Sequence, residues 1–330
     1  MCDLKQQQEI MMKKYQVKLK LLKKLADGAF YSGSQLGEEL GISRAAISKH
    51  IQGIEQWGVD IFRVQGRGYQ LAQPMELLDE AILKSQLSSP LHLIPVIDST
   101  NQYLLNNKQT LSSGTVCVAE YQTQGRGRRG RQWLSPFGAN IYFSVYWRLE
   151  AGMAAAMGLS LVVGVALVEA LESLGLVGVQ LKWPNDLYYQ KRKLAGILVE
   201  MSAQAGGAAH LVIGVGINLE MKDIHNNIDQ PWANLNELME ENQVHRNQLT
   251  ITCIKTLINA LIEYEKKGMT GLVSRWNERD HFLNRKVKLL LGEREIVGIA
   301  QGIDEQGAIK LETSEGVQHF IGGEISLRGM

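Results

Sequence analysis

The chain has 330 residues, 45% of them hydrophobic and 21% charged, and its formal net charge at neutral pH is +1. This composition excludes disordered and fibrous classes, and the length favours two or three domains over one compact core. Cys2, Cys117 and Cys253 are far apart, form no C-x-x-C pair and leave one over, which argues against a disulfide framework or zinc site and for a reducing cytoplasm.

Charge is unevenly spread. Residues 1–73 hold 11 Lys and Arg against 7 Asp and Glu, a net of +4, which leaves −3 for the remainder. A polyanionic partner is therefore expected at the N-terminal piece. The opening MCDLKQQQEIMMKKYQVK has no apolar stretch of the signal-peptide kind. Residues 17–30 fit an amphipathic helix with Leu21, Leu22 and Leu25 inward, ended at Asp27-Gly28. Ser34 is expected to cap a short helix, SQLGEEL, that breaks at Gly41, and Ser43 to cap a second, RAAISKHIQGIEQWG. In that second helix Ile47, Ile51 and Ile54 face inward, leaving Arg44, Ser48, Lys49 and Gln52 outward. IFRVQGRGYQL follows as two strands around a basic turn carrying Arg67, the wing of a winged helix-turn-helix. A small three-helix bundle with solvated charges has the same spacing. Ala45-Ala46, the basic wing and the charge excess favour operator DNA, with Ser43, Arg44, Ser48, Lys49, Gln52 and Arg67 as its contacts.

Pro74 marks the first boundary, and helical periodicity resumes at Leu77, Leu78, Ile82 and Leu83. Strand-like runs (HLIPVI, TVCVAEYQ, NIYFSVYW, VQLKW, LAGILVEM, HLVIGVGINL) then alternate with helical stretches at 99–107, 153–174 and 248–266, the pattern of a mixed sheet with helices on it. The uncharged run from Ala151 to Val168 is long enough to raise the question of a membrane span, but it is rich in Ala and Gly and leads into Glu169 and Glu172. A buried helix is the expectation. From Lys286 onward only short strands and turns remain, which suggests a small β-barrel.

GRGRRG at 125–130 satisfies G-x-G-x-x-G after a strand, yet RQWLSPFGAN follows where a dinucleotide site needs a helix. What remains is a glycine-rich loop with Arg126, Arg128, Arg129 and Arg131, either a solvated basic loop or one that closes over a small anion. Ser99, Thr100 and Asn101 sit at a strand-to-helix junction, where they can cap the helix or bind a neutral polar head group. KWPNDLYY puts Asn185 and Asp186 on a turn, with Asp186 able to hold Mg²⁺. Lys193 precedes the strand of KLAGILVE, and Gly214-Val215-Gly216-Ile217-Asn218 offers small residues against which a flat ligand could lie.

The ordered set STN, GRGRRG, KWPNDL, KLAGILVE and GxGIN resembles the biotin protein ligases, and the winged helix ahead of it matches their bifunctional bacterial form, biotin operon repressor and ligase in one chain. The resemblance runs from about residue 17 to Arg328. It implies a multidomain α+β chain: a winged helix-turn-helix at 1–73, a mixed-sheet biotin/lipoate-ligase-type catalytic domain at 74–283, and an SH3-like β-barrel at 284–330. It also implies two reactions. Biotin and MgATP give biotinyl-5′-AMP, and a lysine of a biotin carboxyl carrier protein then takes the biotin. On this resemblance Ser99, Thr100, Asn101, Gln122, Arg126, Gly127, Arg128, Lys193 and Gly196 bind biotin. Arg126, Arg128, Trp133, Asn185 and Asn218 bind ATP or the adenylate, and Lys193, Arg126, Arg128 and Asp186 serve catalysis. Operator DNA, the carrier protein and a second copy of the chain are the implied partners, with no membrane among them. A lipoate-type ligase and a non-catalytic biotin-sensing repressor are the alternatives.

Overall fold

A computed structural model describes residues 4–203, 207–222, 228, 230–239, 244–292, 294–322 and 325–329. At the N-terminus α1 (Leu4–Leu25), α2 (Gly33–Leu40) and α3 (Arg44–Glu55) are followed by the antiparallel wing β1 (Ile61–Val64) and β2 (Gly68–Leu71). Leu21, Leu22, Leu25, Leu36, Ile47, Ile51 and Ile54 are all buried together, as the stripes predict. Two details differ from expectation. The first helix begins well before residue 17, at Leu4, ahead of the Leu21, Leu22 and Leu25 stripe. The second is capped by Ser32, whose side chain accepts from the Gln35 amide in a capping box, with Ser34 inside the helix. Ser43 caps α3 as expected, its Oγ accepting from Ala46 N at 3.1 Å. The turn between α2 and α3 is tight because Gly37 has no side chain: a Cβ there would lie 2.6 Å from the Ile42 carbonyl oxygen.

After α4 (Glu80–Gln86) the chain builds β3 (Leu91–Leu93), β4 (Val96–Ile97), α5 (Thr100–Asn107), β5 (Val116–Ala119), β6 (Tyr121–Gln122), β7 (Asn140–Leu149) and α6 (Leu159–Ser173). Next come β8 (Gln180–Lys182), β9 (Asp186–Tyr189), β10 (Arg192–Ala203), β11 (Ala209–Asn218), α7 (Arg246–Lys267) and α8 (Leu272–Asn277). Seven strands form one mixed sheet in the order β3-β5-β7-β11-β10-β9-β8, in which only β3 and β5 run parallel. Strand alternation divides its residues between two faces. Phe143, Val145, Ile197, Ile213 and Val215 join the core with α6 and α7, while Tyr146 and Val212 pack with Tyr103 and Leu104 of α5. The apolar run at 151–168 therefore supplies a 3₁₀ turn and the N-terminal part of α6, a core helix of 15 residues. Among the described residues no helix is long and apolar enough to cross a membrane.

The chain ends in a five-stranded antiparallel sheet, β12 (Lys286–Leu291), β13 (Arg294–Ile303), β14 (Ile309–Thr313), β15 (Gly316–Phe320) and β16 (Ile325–Gly329), ordered β15-β14-β13-β12-β16. Val287, Leu289, Ile303 and Leu311 of this sheet belong to the same continuous core as Leu167 and Ile197. The winged helix is tied on as well. Tyr121 and Phe137 both stack on Trp57, with ring centroids 5.5 and 5.6 Å away, and Phe137 N donates to Trp57 O at 2.9 Å. Lys222 and Asp60 add an ion pair across the same junction.

Candidate active site

One cleft gathers most of the residues singled out above. Ser99, Thr100, Asn101, Gln122, Arg126, Gly127, Arg128, Trp133, Asn185, Asp186, Lys193 and Gly196 all line it. Arg129, Arg131, Lys182, Gly214, Gly216 and Ile325–Leu327 of the last strand complete its wall. Among the described residues, six cationic side chains thus meet a single lining carboxylate, Asp186, so the cleft favours an anion.

The uncharged end is built where α5 meets the sheet. Ser99 is the N-cap of α5, and Thr100 donates to Gln122 Oε1 from both its backbone N (3.0 Å) and its Oγ1 (3.2 Å). Gln122 Nε2 in turn donates to Ser135 Oγ at 3.1 Å. Ser144 of β7, inside an apolar strand, donates its one hydroxyl proton to Asn101 Oδ1 and lies 2.7 Å from Thr100 Oγ1. Asn101 lies across β11 because Gly214 leaves room: a Cβ at 214 would sit 2.2 Å from Asn101 Oδ1. The Asn101 amide reaches Leu198 O and Glu200 Oε2, so its hydrogen-bonding capacity is taken up within the protein.

The charged end is carried by the glycine-rich loop and by β9–β10. No helix follows the loop. It makes one 3₁₀ turn over Arg128–Gly130, with Arg129 at φ 59, and runs into β7, as its Pro and Gly content predicts. Arg126 pairs with Glu200 at 3.0 Å, and Arg128 donates to Asn185 Oδ1 at 2.8 Å. Burial pulls the Arg128 guanidinium below its ordinary pKa. A bulge between Lys193 and Ala195 breaks the β9–β10 register and directs Lys193 onto Asp186, where Nζ and Oδ1 are 2.7 Å apart. Lys182 Nζ donates to Tyr188 Oη at 2.7 Å. Burial lowers the Lys182 ammonium to about 8 and raises the Tyr188 phenol to about 12.

Three expectations need correction. The flat group against Gly216 is the protein's own Trp133: a Cβ at 216 would lie 2.5 Å from its indole, and one at Gly196 would lie 3.0 Å from the same ring. Asn218 does not line the cleft. Its amide is held behind it by Lys193 O and Ala233 O, both at 3.3 Å, which fixes the start of β10. Asp186 lies at the start of a strand, β9, and is already paired with Lys193. Among the described residues no group of three His, Cys, Asp or Glu could hold a metal ion. One carboxylate suffices for Mg²⁺ that arrives coordinated to a triphosphate, so the site fits a substrate-borne ion. Of the DNA candidates, Ser43, Arg44, Lys49, Gln52 and Arg67 are exposed and Ser48 is half-buried. The Arg67 guanidinium stacks 3.9 Å from the Phe30 ring centroid.

Residues 93–218 match the biotin/lipoate A/B protein ligase family, residues 282–328 the biotin protein ligase C-terminal domain, and residues 17–70 a helix-turn-helix domain. A bifunctional ligase/repressor of Salmonella typhimurium is 53% identical over 319 residues, covering 96% of this chain and 99% of that protein. The chain belongs to the bifunctional ligase/repressor family. Members from Escherichia coli (52% identity; 96% of this chain, 99% of that one) and Bacillus subtilis (30%; 92% and 95%) extend the match across both halves. Among solved structures, the biotin protein ligase of Aquifex aeolicus in complex with biotin and ATP superposes with a TM-score of 0.64 at 33% identity. It covers 73% of this chain and 99% of its own. Family membership thus accounts for a cationic cleft and a helix-turn-helix in one chain.

Proposed function

We propose that the chain activates biotin with ATP, transfers it to a lysine of biotin carboxyl carrier protein, and represses the biotin operon. The observation that carries this reading is the cleft itself, in which a neutral hydrogen-bonding end (Ser99, Thr100, Gln122) adjoins a cluster of cations (Arg126, Arg128, Lys193) in a family member that also carries a helix-turn-helix. In the first step a biotin carboxylate oxygen attacks the α-phosphorus of ATP, and the bond to the bridging oxygen of pyrophosphate breaks. Both reactants are anionic, so cations fixed before the reaction lower its barrier. Arg126, Arg128 and Lys193 supply them, Asp186 receives the Mg²⁺ of MgATP, and Trp133 and Asn185 border the nucleotide. Asn101 organises the ureido end through Ser144. In the second step the carrier lysine amine attacks the acyl carbon, loses a proton, and AMP departs with the anhydride oxygen. The mixed anhydride is open to water, so the glycine-rich loop covers it between steps.

Incubating the protein with radiolabelled ATP, biotin and an apo carrier domain tests the reaction. Labelled adenylate and labelled carrier are expected, and formation of neither overturns the reading. Repression is proposed to act through an adenylate-bound homodimer on a palindromic operator, since one winged helix reads one half-site. Adenylate is then expected to strengthen self-association in sedimentation equilibrium and operator occupancy together. An unchanged dimerisation constant would leave DNA binding uncoupled from the adenylate.

A further inference from the structure

Glu200 is a carboxylate placed beside a site built to receive anions. It sits on β10 two and four residues beyond Leu198 and Gly196, and alternation puts all three on the face that looks toward α5 and the glycine-rich loop. A single oxygen, Oε2, accepts from Asn101 Nδ2 at 2.7 Å and from Arg126 at 3.0 Å. A continuous chain of contacts therefore runs from Gln122 through Thr100, Ser144, Asn101 and Glu200 to Arg126. Glu200 thus links the neutral end of the cleft to its arginine loop.

We propose that Glu200 is a positioning residue that acts as an internal competitor: its carboxylate holds Arg126, and a substrate anion must displace it to engage that guanidinium. This rests on the reading of the cleft as a biotin and ATP site. The physical argument is one of exclusion. A guanidinium nitrogen that donates to one carboxylate oxygen is not offered to a second anion, and two carboxylates on one guanidinium repel each other. Arg126 is 39% exposed and Glu200 26%, so the pair is worth little and can be exchanged readily, as a competitor must be. The Asn101 contact is different in kind, since it needs only an oxygen acceptor and not a charge. Glu200→Gln therefore separates the two roles. It retains an acceptor for Asn101 and removes the charge that holds Arg126.

The experiment measures dissociation constants of the full-length protein for three probes: biotin, a non-hydrolysable ATP analogue, and the neutral biotinamide. In Glu200→Gln we expect at least one anionic probe to bind about twofold to fivefold tighter at low ionic strength, the range an exposed ion pair is worth, with the gain shrinking as salt is raised. Biotinamide should bind unchanged. Combining Glu200→Gln with Arg126→Gln should abolish the gain, because no guanidinium remains to be released. Glu200→Ala, which also strips Asn101 of the nearer of its two acceptors, should weaken biotin and biotinamide alike. If Glu200→Gln weakens charged and neutral probes equally, or its gain survives in the Arg126→Gln background, Glu200 is only a scaffold and the proposal fails. If the wild-type protein binds none of the three probes, the biotin and ATP reading of the cleft itself fails.

Discussion

Replacing Lys193 by Ala removes the partner of Asp186 from a pair whose side chains are each only 15% exposed, with Nζ and Oδ1 2.7 Å apart. Fully exposed pairs are worth up to about 1 kcal/mol, whereas breaking a buried one costs about 3–5 kcal/mol because the abandoned charge stays desolvated. At this intermediate exposure the loss should be about 2 kcal/mol. For a unit of this size that lowers the melting temperature by about 4–8 °C. The catalytic loss is separate and larger: a fixed cation removed from a developing phosphoryl charge should slow adenylation by about 10²–10³-fold. Adding Asp186→Asn distinguishes the two effects. With the orphan charge gone, the double variant should recover most of the lost melting temperature and none of the adenylation rate. Differential scanning fluorimetry and a pyrophosphate-release assay read the two quantities on the same samples. Near-wild-type adenylation in Lys193→Ala, or a double variant no more stable than the single, would refute this account.

Gly214→Ala would drive a methyl into Asn101, whose Oδ1 lies 2.2 Å from that Cβ position, and break its contacts to Ser144 and Glu200. Biotin affinity should fall more than about tenfold while circular dichroism stays unchanged, an energy loss of about 1.4 kcal/mol or more. Lys182 lines the cleft with its ammonium lowered to about 8 by burial, so it is charged below that pH and neutral above it. If its charge assists the triphosphate, adenylation falls as pH rises through 8, and Lys182→Arg, which stays protonated, keeps the rate level to about pH 10. Trp57→Ala removes the indole on which Tyr121 and Phe137 stack and should cost about 3 kcal/mol, read as a lower unfolding midpoint and faster proteolysis between winged helix and sheet.

Periodicity made the winged helix legible: three isoleucines on α3, three leucines on α1 and a Ser cap each have a strong local signature. Every strand from β12 to β16 was likewise marked by an apolar run between turn residues. The hairpin of β9 and β10 was not. Its turn residues Gln190 and Lys191 take φ of 47° and 64° without glycine or asparagine, so nothing in the sequence announced a reversal there. α8 is only six residues long and is fixed by Leu272 and Trp276 packing into the core, which is tertiary information. In the cleft, the residues missed were Ser144, Glu200 and Lys182, polar side chains inside strands. Each is a polar residue interrupting an apolar run, but the face it occupies depends on the pairing of β7 and β10 with β11 and of β8 with β9, which only the fold supplies. Asn218 is ambiguous in sequence for the converse reason, since an amide at a strand end serves equally well as backbone partner or ligand contact.

The stacking of Tyr121 and Phe137 on one indole bears on the thermodynamics of the segment between them. Residues 122–136 include the whole glycine-rich loop, and both ends of it are fastened to the same ring of the winged helix. Joining the ends of a chain costs entropy that grows with the logarithm of its length. Here that closure is made within the protein itself, by this stacking and by the hydrogen bond of 3.0 Å from Gly138 N to Glu120 O. Ordering the arginines then has to fix only the residual freedom of a loop already cyclised by aromatic contacts. The glycines can supply mobility at its tip without exposing the molecule to the full conformational cost of an untethered segment.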